Sequence, residues 1–192
     1  MTKRNIKSDL NLAILGLLSL QPLSGYGLRK VFLTTAMGNF SASPGAIYPA
    51  LRNLEAAGLV KGTVENARTL RPRRAFTLTP EGRSALISTL SRPVTRDAVK
   101  RGMDTLLLRF SFMDGLMPKE AILGFLRSLR TELEAYLEVL EKEIRRDAPG
   151  MPFCGRAAAE LGLEGYRMNA QWAGRIYSRL LKKELDVKGE TS

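Results

Sequence analysis

The sequence predicts a mainly α protein with one small β-hairpin, in which a basic N-terminal module precedes two long helices. Three observations lead there. Apolar residues recur at spacings of three and four along most of the chain. Only one pair of alternating segments, residues 59–65 and 73–79, flanks a polar stretch broken by proline. The charge is also uneven: residues 1–96 carry 14 Lys/Arg and 4 Asp/Glu, whereas residues 97–192 carry 16 and 15. Almost the whole net charge of +11 therefore lies in the first half, which is the electrostatic footprint of a polyanion binder.

Ser8 and Asp9 are suited to cap a first helix to about residue 20, with Leu10, Ala13, Ile14, Leu17 and Leu18 on one stripe. Gln21-Pro22-Leu23 breaks it. Ser24 then caps a second helix to about residue 37, whose apolar residues are Tyr26, Leu28, Val31 and Phe32. Residues 38–42 are small and polar, hence a turn. Ser43-Pro44 opens a third helix with a capping hydroxyl and a first-turn proline, and Gly58 ends it in the left-handed conformation. Its inner stripe is Ile47, Ala50, Leu51 and Leu54, and its outer face shows Gly45, Tyr48, Pro49 and Arg52. Pro49 lies beyond the first turn, where it removes a hydrogen bond and bends the helix.

Residues 59–65 and 73–79 form a hairpin with a basic tip, because Arg68, Arg71, Arg73 and Arg74 fall close together. Thr79-Pro80-Glu81 repeats the hydroxyl-proline start for a fourth helix to about residue 90. Ser91-Arg92-Pro93 marks the boundary between a DNA-binding domain, 1–92, and a helical domain, 93–192. In the second domain, residues 104–113 are strongly apolar and Pro118 opens a long helix to about residue 147. Ile122, Leu126, Leu129, Leu133, Leu137 and Leu140 step by four and three along it, the spacing of a coiled-coil seam. A last helix over about 156–185 carries Leu161, Met168, Trp172, Ile176 and Leu180 on one face.

Composition excludes much chemistry. A hydrophobic fraction of 44% with 26% charged residues belongs to a folded globular chain rather than a disordered one. There is no histidine, which removes Ser-His-Asp and Cys-His nucleophiles and His-ligated zinc or haem. Cys154 stands alone, so it forms neither an internal disulfide nor a metal cage, and it reads as a bystander thiol rather than a redox sensor. Asp104, Asp114 and Glu120 are carboxylates without a phosphate loop or metal spacing, so no enzyme, cofactor or metal is expected. Lys3, Arg4 and Lys7 before an apolar run imitate a signal peptide, but no small-x-small cleavage site follows before Pro22. No stretch suits a membrane span, and the expected location is the cytoplasm.

Three helices, a basic hairpin and a further helix, in that order, make a winged helix-turn-helix. A helix fits the major groove, so the third helix presents Tyr48, Pro49 and Arg52 to double-stranded DNA, with its N-terminal end at Ser43, Gly45 and Ala46 nearest the duplex. That end has free N–H groups and a positive dipole, both suited to a phosphate. Arg68, Arg71, Arg73 and Arg74 reach from the wing, and Lys3, Arg4 and Lys7 add contacts from an N-terminal arm. The rival reading is a winged-helix adaptor that binds protein and regulates no DNA.

The run Leu15-Gly16-Leu17-Leu18, then Pro22-Leu23-Ser24-Gly25-Tyr26, then residues 45–51 (GAIYPAL) with Leu54-Glu55 and Gly58-Leu59, then residues 74–82 (RAFTLTPEG), resembles the PadR family of bacterial transcriptional regulators. The tyrosine-proline step inside the third helix is the most specific piece. The resemblance implies that Tyr48, Pro49 and Arg52 lie on the recognition helix and residues 71–74 in the wing. Ser24, Gly27 and Ala75 depart from the pattern of many relatives. It further implies a helical C-terminal region used for dimerisation. That agrees with the near-neutral charge and apolar stripes, whose expected contacts with a second copy are Ile122, Leu126, Leu129, Leu133, Leu137, Leu140, Trp172, Ile176 and Leu180; the alternative is an intramolecular helical hairpin that packs only on its own chain. A homodimeric repressor on a roughly palindromic operator follows. PadR-like regulators often respond to small aromatic or drug-like effectors, which makes Phe110, Phe112 and Trp172 candidates for the wall of such a pocket, although a tryptophan at helical spacing is more often core.

Overall fold

In a computed structural model, the structure describes residue 6 and residues 8–34, 43–65 and 73–189. Two compact units result: Met1–Arg92 with Leu107–Met117, and Pro93–Leu106 with Pro118–Ser192.

The first unit contains α1 (Asp9–Leu20), β1 (Leu23–Ser24), α2 (Gly25–Thr34), α3 (Pro44–Ala56), β2 (Val60–Glu65), β3 (Arg73–Leu78) and α4 (Pro80–Leu90). The fold is a winged helix, mainly α with one small antiparallel sheet. Ser8 Oγ accepts the Asn11 N–H at 3.2 Å and Thr79 Oγ1 accepts the Gly82 N–H at 3.0 Å, so both expected hydroxyl caps form. Ser24 Oγ likewise accepts from Gly27 N at 3.1 Å. The first turn of α3 closes instead on the Ser43 carbonyl, which accepts from Ala46 and Ile47, and no hydroxyl cap forms there. The sheet order is β1-β3-β2, with Leu23 opposite Phe76 and Val60 opposite Leu78. Strand β1 was not expected, because two residues carry no period. The expected end of the second helix at 37 and the turn at 38–42 lie outside the described residues.

Helix α1 lies at the centre of this unit. Instead of one stripe, all of residues 12–18 are buried, since α3, α4 and β3 pack around them. The remaining side is closed by residues 107–117. The Phe112 ring lies where Gly16 has no side chain, and a Cβ there would stand 2.3 Å from Phe112 Cδ2. Arg109 is buried beside it in sequence and donates from Nη2 to the Leu90 carbonyl at 3.1 Å and to the Arg92 carbonyl. The Leu90 carbonyl is an orphan acceptor at the negative end of the α4 dipole, and the Arg92 carbonyl lies just past the cap at Ser91. Burial, with the Arg92 cation nearby, lowers the Arg109 pKa to about 10. A sequence division at residue 92 gives 107–117 to the second domain; packing returns it to the first.

The second unit contains α5 (Arg96–Arg101), the start of α6 (Met103–Ser111), α7 (Lys119–Asp147), a 3₁₀ turn at Ala148–Gly150 and α8 (Phe153–Gly189). Helix α5 was not expected; Thr95 Oγ1 caps it by accepting from Ala98 N at 3.3 Å. Helices α7 and α8 run antiparallel, since Arg127 donates to Tyr177 Oη at 3.1 Å while Arg167 bonds Glu141 near the far end of α7. Tyr136 and Tyr166 meet edge to face at 5.1 Å between them.

This pairing changes the reading of the α7 seam. Ile122, Leu126, Leu129 and Leu133, expected to face a second copy, are buried within one chain together with Val99, Leu163, Ala170 and Ala173. Their own unit covers them, because α5 and α8 both pack on α7. Leu137, Leu140, Trp172, Ile176 and Leu180 are half-buried, and Phe153, Leu161 and Met168 stand largely exposed on α8.

Truncating Phe112 to alanine tests the closure of α1. Urea unfolding should show a loss of about 3–5 kcal/mol, as for a buried aromatic. A loss of about 0.5 kcal/mol, the scale of a surface change, would remove Phe112 from the core.

Candidate nucleic-acid interface

Helix α3 has two faces. Ile47, Ala50, Leu51 and Leu54 are buried against the unit, which turns Gly45, Tyr48 and Arg52 to the exposed side and leaves Ala46 and Pro49 half-buried between. The period of 3.6 alone requires this division once the apolar stripe is seated. Tyr48 is 46% exposed. Its ring rests on the start of α2, where a Cβ on Gly25 would lie 2.6 Å from Tyr48 Cε1. The exposed tyrosine is therefore held from below by a backbone with no side chain.

The turn from α3 into the wing is closely determined. Gly58 adopts φ +70°, the left-handed position that glycine takes without strain. Its N–H bonds the Glu55 carbonyl at 2.8 Å and Leu59 N–H bonds the Leu54 carbonyl at 2.9 Å, the paired closure of a Schellman motif. Thr79, ahead of α4, donates its hydroxyl to the Gly58 carbonyl at 2.7 Å. Helix α3, the wing strands and α4 thus meet at one turn.

Of the expected wing cations, Arg68 and Arg71 lie outside the described residues, as do Lys3, Arg4 and Lys7 of the arm. Arg73 stands opposite Glu65 in the register of β2 and β3. Arg74 is described in full: its Nη2 donates to both Glu55 carboxylate oxygens, at 2.7 and 2.9 Å, and its Cζ lies 5.3 Å from the Phe76 ring centroid. Exposed cations that motif reasoning passed over are Arg29 and Lys30 on α2, Lys61 on β2 and Arg83 on α4. The signal for them was the basic balance of the first half, which names no single residue.

The three aromatic residues expected around an effector are placed as follows. Phe112 is 3% exposed and packs on Gly16, so it is a core side chain of the first unit rather than a pocket wall. Phe110 is half-buried in the same unit, and Trp172 is half-buried on α8 in the second. A groove of about 480 Å³ in the first unit is lined by residues 18–22, residues 77–80 and Arg83, and by none of these aromatics. Among the described residues, no three His, Cys, Asp or Glu groups are placed to hold a metal ion, and no helix is long and apolar enough to cross a membrane.

Residues 14–88, from α1 to the last turns of α4, match the model of the transcriptional regulator PadR-like family. The match covers less than half of the chain. The match spans both α3 and the wing, so the tyrosine-proline step and the Gly58 turn lie within it. Solved structures with similarity include the PadR-like transcriptional regulator BC1756 from Bacillus cereus, 25% identical over 91% of this chain and 99% of that one, with a TM-score of 0.39. Bacillus subtilis PadR in complex with operator DNA is 24% identical over 90% and 99%, with a TM-score of 0.44. The same protein in complex with p-coumaric acid is 24% identical over 90% and 99%, with a TM-score of 0.39. Comparison with curated proteins returns no match.

Proposed function

We propose that this PadR-like regulator is a homodimeric repressor that reads operator DNA through the outer face of α3. The observation that carries the reading is the exposed row Gly45, Tyr48 and Arg52 on a helix whose opposite face is seated in the winged-helix core. A helix so mounted fits the major groove, with its N-terminal turn at Ser43 toward a phosphate and the wing alongside. The charge of the first half supplies steering and backbone affinity. Bacillus subtilis PadR has been solved with operator DNA, which supports the same ligand here.

The dimer is assigned to α8. Phe153, Leu161 and Met168 are 76%, 70% and 60% exposed, and they recur at steps of about two helical turns, so they make one apolar row on a helix already packed on its other side. A second copy with two-fold symmetry covers both rows at once. Such a dimer sets two recognition helices about 34 Å apart, one turn of DNA, and selects a pseudo-palindromic site. A small aromatic effector that favours one arrangement of the dimer releases the operator by shifting populations; the structure of Bacillus subtilis PadR with p-coumaric acid supports that ligand class.

The binding test is a salt series on a duplex selected by the protein from a random pool. Contact with about six to ten phosphates should weaken binding by roughly 10³–10⁵ between 50 and 200 mM salt, and a flat response would favour a protein-binding adaptor. Arg52→Ala should change preference at one base position by about 1–3 kcal/mol, provided its contact is bidentate. Uniform loss across operator variants would place Arg52 on the backbone.

Leu161→Lys with Met168→Lys should convert a dimer into a folded monomer in light scattering, and an unaltered dimer would move the interface off this row. Adding p-coumaric acid should lower operator affinity; equal affinity with and without it would remove that effector.

A further inference from the structure

We propose that Arg74 is a positioning residue for DNA binding: through Glu55 it ties the wing to the last turn of the recognition helix, and its charge is used there rather than on a phosphate. The inference rests on the DNA-binding reading above. Glu55 is on α3, one residue beyond the buried Leu54 and three beyond Arg52. Its Oε1 accepts the Gly62 N–H of β2 at 2.9 Å, and both its oxygens accept from Arg74 Nη2 of β3. One carboxylate therefore holds α3, β2 and β3 together.

The path of the guanidinium is made for this contact. Arg74 crosses Gly62, where a Cβ would lie 2.5 Å from its Nε. A Cβ at 62 therefore requires the Arg74 guanidinium to shift from this path. The pair is too exposed to serve folding, with side chains 51% and 28% exposed, and such surface pairs add little stability. An unneutralised carboxylate beside a polyanion would repel it. Neutralised and bonded to two strands, Glu55 instead sets the angle between reading helix and wing, so that less order is lost when DNA binds.

The charge-neutral double variant Glu55→Gln with Arg74→Gln separates this role from direct contact, because it leaves the net charge of the protein unchanged. Binding is measured from 50 to 200 mM salt on the duplex selected by the wild type and on a mixed-sequence duplex. Affinity for the selected duplex should fall about two- to fivefold, the scale of an exposed ion pair, with the wild-type salt slope retained. A slope shallower by about 0.9 would mean that Arg74 neutralises a phosphate, and the proposal is overturned. Unchanged affinity with unchanged slope would overturn it as well.

Gly62→Ala, which keeps both charges, should reproduce the loss and decides the matter should the double variant fail to fold. Normal binding by a folded Gly62→Ala protein would overturn the proposal. Wild-type protein that binds neither duplex defeats the DNA reading itself, whereas wild-type binding with a shallower variant slope defeats only the positioning role.

Discussion

The arrangement of the first unit follows from a helix that has no face left for water. Residues 12–18 of α1 are buried on every side, so each neighbouring element must supply apolar surface at its own position around the helix. Strand β3 and helices α3 and α4 cover most of that circumference, and Phe112 covers the part that Gly16 leaves open. Close packing of this kind leaves little room for small displacements. The orientation of α3, and with it the direction in which Tyr48 and Arg52 face, is thereby inherited from α1.

A second constraint joins α3 to the wing. The Schellman closure at Gly58 satisfies the last carbonyls of α3 while turning the chain into β2. Thr79 then binds the outer side of that turn and caps α4 with the same hydroxyl oxygen. With Glu55 bonded to both wing strands, the pieces that would meet DNA are fixed to one another by hydrogen bonds around a single turn.

The second unit solves a different problem. Helix α7 seats Leu126, Leu129 and Leu133 fully, because α5 and α8 approach it from two sides. Helix α8 is longer than α7 and carries apolar residues on more than one face, so Leu163, Ala170 and Ala173 are buried while Leu161 and Met168 are not. The regular seam of α7 is thus used within the protomer, and the exposed apolar row lies on α8.

How much could be read in advance depended on range along the chain. Capping hydroxyls at Ser8 and Thr79, the prolines that start α3 and α4, the stop at Gly58 and the two strands are local in cause, and the residues alone determined them. So was the outer face of α3, since its inner stripe has only one way to turn. Strand β1 and helix α5 escaped notice because two and six residues are too few to show a period. What only the tertiary structure decided is contact between distant residues: Phe112 on Gly16, Arg109 on the end of α4, Glu55 with Arg74, and α8 over the α7 seam. Periodicity tells which side of an element is apolar; it carries no information about which partner reaches that side first, and that competition is settled only when the chain is packed.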